Sequence, residues 1–229
     1  MSDYTLYGAE FSLYSGKIRS YLRYKQLDYE EVFSSIGIYK KIIVPNTGVK
    51  YIPVVKTPSG EYLQDTSVII DRIEQDEPQR SVIPTGTKQH LVSLLLELYG
   101  DEWLLIPAMH YRWNYNNFPF VYQEFGGIVA PKMPAFIRGF IGKRIGAPFK
   151  KIVPKLGITQ KSIPAIEHWY EKEFLVQLNQ HFSEHDFLLG GRPSIGDFGF
   201  FGPLYAHLYR DPYPGQLMQK NCTAGCRMG

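Results

Sequence analysis

The chain has 229 residues, 44% of them hydrophobic and 21% charged, with a formal net charge of +3. These values describe an ordinary soluble protein of one large or two small domains, and the charge is too small to point to a nucleic-acid partner by itself. Zinc-ligand arrays, RNA-binding strings and phosphate-binding P-loops are absent, and no apolar run approaches a membrane span, so neither nucleic-acid binding nor membrane insertion is expected. Asp3 and Glu10 interrupt the start, where a secretory signal would need an apolar stretch. Both cysteines, Cys222 and Cys226, stand near the end, which excludes a disulfide framework and favours a reducing cytoplasm.

In chain order, Tyr4–Tyr7 reads as a short strand, and Ile18, Tyr21 and Leu22 give the segment after Phe11-Ser12-Leu13-Tyr14-Ser15 a helical face. Tyr29–Phe33 alternates with acids as a strand does, and an irregular helix follows. Lys50–Lys56 and Tyr62-Leu63 flank the turn Thr57-Pro58-Ser59-Gly60, a hairpin signal. Within that hairpin, Pro53 of Tyr51-Ile52-Pro53-Val54-Val55 cannot donate to a ladder, so it demands an edge strand, a bulge or a cis bond. Asp65-Thr66-Ser67 then precedes Val68, Ile69, Ile70 and Ile73, whose spacing fits one helical face. The hydroxyl-rich turn is therefore a helix N-terminus and an anion site. Glu77-Pro78 and Ile83-Pro84-Thr85-Gly86 mark a linker.

Beyond the linker the pattern is helical. Residues 88 to 113 form a long apolar series that should bend or break near Gly100 and Pro107. From Ala130 to Lys161 there are eight Lys or Arg residues and no acid, interleaved with Phe136, Ile137, Phe140, Ile141 and Ile145. The expectation is a helix whose apolar face packs on the domain and whose basic face is solvated; a membrane-surface helix is the alternative. Ser194-x-x-Asp197 is a capping-box arrangement opening a buried helix over Phe198–Leu204. The expected domains are 1–80, 87–220 and an altered or disordered tail at 221–229, where Cys222 and Cys226 supply only two metal ligands.

The order βαβαββα is that of a thioredoxin-like domain. With the Ile52-Pro53 and Asp65-Thr66 pairs, the Phe11–Ser15 element and the Leu188-x-Gly190-x-x-x-Ser194-x-x-Asp197 box, the chain resembles cytosolic glutathione S-transferases. The resemblance implies an α+β fold: an N-terminal thioredoxin-like domain followed by an all-α helical domain. It also implies glutathione as co-substrate, no metal, a hydrophobic small-molecule partner and a homodimer. Backbone groups of Ile52, next to Pro53, would hold the cysteinyl unit, Asp65 and Thr66 the γ-glutamyl end, and Lys41 or Lys50 (or Lys40) the glycyl carboxylate. Ser12, just before the first helix, is the candidate thiolate donor of a serine-type transferase, with Ser15 and Tyr7 as alternatives. The absence of cysteine there disfavours thiol-transferase chemistry. Tyr14, His110, Tyr111 and Trp113, with Trp103 and Met109, are the candidate electrophile pocket. A non-catalytic glutathione-fold binding protein and a glutathione-dependent isomerase are the competing readings.

Overall fold

A computed structural model of the chain describes residues 3–115, 118–130 and 132–221; the tail bearing Cys222 and Cys226 lies outside them. The sheet has the order β2-β1-β3-β4. Its strands are β1 (Tyr4–Gly8), β2 (Tyr29–Phe33), β3 (Val54–Lys56) and β4 (Tyr62–Gln64). β1 is parallel to β2 and antiparallel to β3, and β3 is antiparallel to β4. The third strand is shorter than the apolar run predicts, because the ladder begins only at Val54, after the cis Ile52–Pro53 bond.

Side chains alternate across the sheet as the pleat requires. Leu6, Val55 and Leu63 meet α1 (Leu13–Lys25) and α4 (Thr66–Asp76) through Ile18, Tyr21, Leu22, Ile69, Ile70 and Ile73. Tyr7 and Val54 face the other way, toward a segment made of α2 (Ile36–Ile38), a π-helical turn at Tyr39–Ile43 and α3 (Val44–Thr47). This mixed sheet with its helices is a thioredoxin-like arrangement, followed by a helical region from Thr87 onward.

The helical region begins with α5 (Thr87–Leu98), a π-helical turn at Tyr99–Trp103 and α6 (Leu105–Asn114). The break expected near Gly100 is that turn, and Pro107 sits in the first turn of α6, where its missing N–H costs nothing. After α7 (Phe118–Val129), α8 (Ala135–Ile152) and a 3-10 turn at Val153–Leu156 come α9 (Ile163–His168), a π-helical turn at Trp169–Phe174 and α10 (Leu175–Glu184). The chain closes with α11 (Ile195–Pro203), a π-helical turn at Leu204–Tyr209 and α12 (Pro212–Asn221), so Asn221 belongs to a helix rather than to the tail.

α11 joins the two halves. Ile195 and Phe198 enter the sheet-side core, while Phe200 enters the helical core with Leu104, Tyr111, Tyr170 and Leu175. Its start is pinned by Asp197, which accepts from the Ser194 amide at 2.8 Å and from the Leu188 amide at 2.8 Å.

α7 and α8 cross with backbones in contact. A methyl group added at Gly126 would lie 1.9 Å from the Arg138 carbonyl oxygen, and one at Gly142 would lie 1.8 Å from that of Tyr122. This crossing corrects the expected burial of the basic segment. Ile137, Ile141 and Ile145 are half-buried, but Phe136 and Phe140 point into solvent, so the apolar series divides between two faces. Gly142→Ala should therefore force the helices apart and cost at least about 1–3 kcal/mol, the range for overpacking a closed interface. Urea unfolding measures it; an unchanged midpoint would contradict so close a crossing.

Candidate functional site

A cleft of about 440 Å³ opens where the two halves meet. One wall is Tyr51, Ile52 and Pro53, the segment that enters β3. The floor is Gln64 to Ser67, where β4 turns into α4. Asp65 caps that helix, accepting the Ser67 amide at 3.0 Å. It does so at φ 83° and ψ 130°, a conformation that costs a non-glycine residue about 1–3 kcal/mol. The strain sits at the bottom of the cleft. The remaining α4 amides at this end favour negative charge.

The opposite wall comes from the helical half: Leu94, Glu97 and Leu98 of α5, then Asp101 and Glu102 of the π-helical turn. Tyr14 of α1 completes it, its hydroxyl donating to the Asp101 carbonyl at 3.3 Å. Behind this wall Lys17 is wholly buried, with its ammonium 2.6 Å from Glu97 and 2.5 Å from Asp101. Ser67 donates to the same Glu97 oxygen at 3.3 Å, tying floor to wall. Burial pushes the Asp101 carboxyl up to about 6, against the opposing pull of Lys17. Four carboxyl groups and one ammonium therefore converge here, a lining suited to a ligand with a positive end as well as an anionic one.

Ser12 caps α1, its Oγ accepting the Ser15 amide at 3.3 Å. That bond uses a lone pair and leaves the hydroxyl proton for another acceptor. The loop carrying Ser12 is held from the helical half. Arg112 donates to the Phe11 carbonyl at 2.8 Å, while its Nε and Nη2 grip both oxygens of Asp211 at 2.7 Å. His207 accepts from the same guanidinium at 2.8 Å through Nε2, so its proton is on Nδ1. Burial and the adjacent Arg112 and Arg210 hold its pKa well below the ordinary value.

The other sequence candidates separate. Ser15 is buried, accepting the Ala9 amide at 3.3 Å. Tyr7 is buried and stacked on Tyr62 with ring centroids 6.2 Å apart; burial, and then Tyr62, push its phenol up to about 12, away from easy ionisation. Lys40, Lys41 and Lys50 are exposed and lie outside the cleft lining. Of the candidate electrophile pocket only Tyr14 reaches the cleft. His110 is buried between Glu167 and Asn114, Tyr111 bonds Glu171, and Trp113 packs with Val121 and Phe125 in a separate core. Helical spacing had made them as suitable for core as for ligand, and the core took them. Sequence reasoning missed Glu97 and Asp101; their signal was a pair of acids four residues apart inside an otherwise apolar helix.

A family model described as the glutathione S-transferase N-terminal domain matches residues 6–81. Residues 6–81 thus belong to the glutathione S-transferase superfamily as its N-terminal domain. No curated protein sequence matches it significantly. Among solved structures, the chain is similar to a glutathione S-transferase from Rhodospirillum rubrum F11, with 16% identity over 95% of this chain and 84% of that one and a TM-score of 0.58. It is also similar to the beta-etherase LigF from Sphingobium sp. strain SYK-6, with 17% identity over 98% and 92% and a TM-score of 0.65. A glutathione S-transferase from Methylobacillus flagellatus KT, solved with glutathione bound, gives 15% identity over 99% and 96% and a TM-score of 0.52. At these identities the likeness is one of fold. A glutathione S-transferase fold is thereby established for the chain, and with it the support for a glutathione-related function.

The His207 site makes a pH prediction. Because folding holds this imidazole neutral, the unfolded chain takes up a proton below about pH 6.5 that the folded chain refuses. Stability should be full above that pH and fall below it, by up to about 1.4 kcal/mol per pH unit. Urea titrations at pH 7 and pH 5 should show a larger loss for the wild type than for His207→Asn, which keeps an acceptor for Arg112 but cannot titrate; equal losses would refute the assignment.

Proposed function

We propose that the protein is a serine-type glutathione transferase that activates the thiol of glutathione for attack on a hydrophobic electrophile. The observation that carries this reading is the cleft itself, in which the Ile52–Pro53 segment, the α4 N-terminus and an acidic wall meet beside the helix that Ser12 caps. The extended tripeptide lies along Ile52, its γ-glutamyl carboxylate at the Thr66 amide and hydroxyl and its ammonium toward Asp65 and the Glu97–Asp101 pair. Ser12 donates a hydrogen bond to the sulfur. A free thiol near pKa ~8.5 is only a few per cent ionised at pH 7, and lowering it by about two units requires roughly 2.7 kcal/mol. One hydroxyl donor and the α1 N-terminus together are of that size. The thiolate then forms a carbon–sulfur bond with the electrophile, and a leaving group departs with its electron pair. Likeness to a beta-etherase is a reason to test an aryl ether beside an aryl halide.

Ser12→Ala should raise the apparent pKa of conjugation and lower kcat about 10- to 10²-fold, while sparing most of the glutathione affinity. Asp65→Asn keeps the helix cap and removes the charge, and should weaken glutathione binding by about 1.5–3 kcal/mol in calorimetry. A bound thiol whose pKa stays near the solution value would favour a non-catalytic binding protein instead. Loss of rate in Ser15→Ala or Tyr7→Phe, with Ser12→Ala unaffected, would move the catalytic residue.

The same reading includes a homodimer. Leu91, Leu94, Leu95 and Leu98 form an exposed stripe on α5, with Val68 of α4 and Tyr51 also exposed. A contiguous apolar surface of this kind asks for a partner. Light scattering at micromolar concentration should give twice the 26.4 kDa chain mass, and Leu91→Glu with Leu95→Glu should halve it. A wild-type mass of one chain would remove the dimer while leaving the fold intact.

A further inference from the structure

A second exposed face, on α8, belongs to neither the cleft nor the α5 stripe. Phe136 is 77% exposed and Phe140 is 66% exposed. They are four residues apart, so their rings lie one above the other along the helix. Met133, just before α8, and Val129, at the end of α7, are exposed beside them where the two helices join. The helix cannot rotate to hide these groups. Its opposite side is fixed by the Gly142 contact with Tyr122 and by Gly146 against the Trp113 ring. Further along the same exposed stripe come Lys143, Arg144 and Lys151. No acid occurs anywhere from residue 130 to 161 to balance them.

We propose that this face of α8 docks the protein on the surface of an anionic lipid bilayer. Scattered exposed hydrophobics are ordinary, but a clustered aromatic end continued by a cationic end is the pattern of a helix lying in the headgroup plane. The stripe from Phe136 to Lys151 runs roughly 22 Å, at about 1.5 Å per residue. Phe136, Phe140 and Met133 enter the acyl boundary while Lys143, Arg144 and Lys151 meet lipid phosphates. An acidic peptide would satisfy the cations and leave the rings in water. The contact is peripheral, since among the described residues no helix is long and apolar enough to cross a membrane.

The test is sedimentation of the full chain with vesicles of phosphatidylcholine alone or with about 30% phosphatidylglycerol. The wild type should bind the anionic vesicles at least ~tenfold more tightly, and added salt should weaken that binding. Phe136→Ser with Phe140→Ser should lose about tenfold in binding, and Lys143→Glu with Arg144→Glu at least as much. Circular dichroism and an unchanged unfolding midpoint confirm that the variants fold. Wild-type protein left in the supernatant would overturn the proposal. So would undiminished binding of the phenylalanine variant, because any basic protein could then behave alike. Retention on a polyglutamate resin without vesicle binding would assign the face to a protein partner and end the lipid assignment.

Discussion

The ammonium of Lys17 is the point on which the two halves of the molecule turn. It sits in α1, one of the helices covering the sheet, yet both its partners, Glu97 and Asp101, belong to the first helices of the other half. A buried cation with no counter-charge is strongly destabilising, so this side chain permits only those arrangements in which the helical half is docked on α1. Packing then makes the docking specific. α11 lies against α1 and carries side chains into both cores, so the sheet-side core and the helical core share an element rather than a boundary.

The cleft is a by-product of that junction. Its floor and one wall come from β4, α4 and the segment before β3, and its other wall is the outer side of the acids that hold Lys17. The groups that bring the halves together are therefore the groups that line the cleft. Arg112 extends the same logic to the loop before α1: its guanidinium gives four donors to Asp211, His207 and the Ala206 carbonyl and the fifth to Phe11, next to Ser12. The position of Ser12 is set by residues a hundred or more positions away in sequence.

That distance explains what was legible in the sequence. The strand and helix order, the proline before β3, the helix start at Asp65-Thr66-Ser67 and the Ser194–Asp197 start of α11 depend on backbone sterics and hydrogen bonds within a few residues, and they left local signatures. Lys17 with Glu97, Arg112 with Asp211 and His110 with Glu167 are long-range pairs, and nothing in either member's neighbourhood announces the other. The division of α8 into a packed face and an exposed one was illegible for another reason. Periodicity finds an apolar helix face, but the close approach at Gly126 and Gly142 decides which face is inward. The positive φ of Asp65 was hidden too, since aspartate is common at caps that carry no strain.

The π-helical turn at Tyr99–Trp103 makes chain length itself a structural parameter. A π-turn holds one residue more than ordinary α-helical spacing would. Deleting a single residue from it would close it to that spacing and leave the helices on either side in nearly the same register. A single-residue gap in related sequences can therefore fall here, provided that it and any substitution spare Gly100, where an added side chain would meet the Gly199 backbone 2.4 Å away, and Asp101, which holds Lys17.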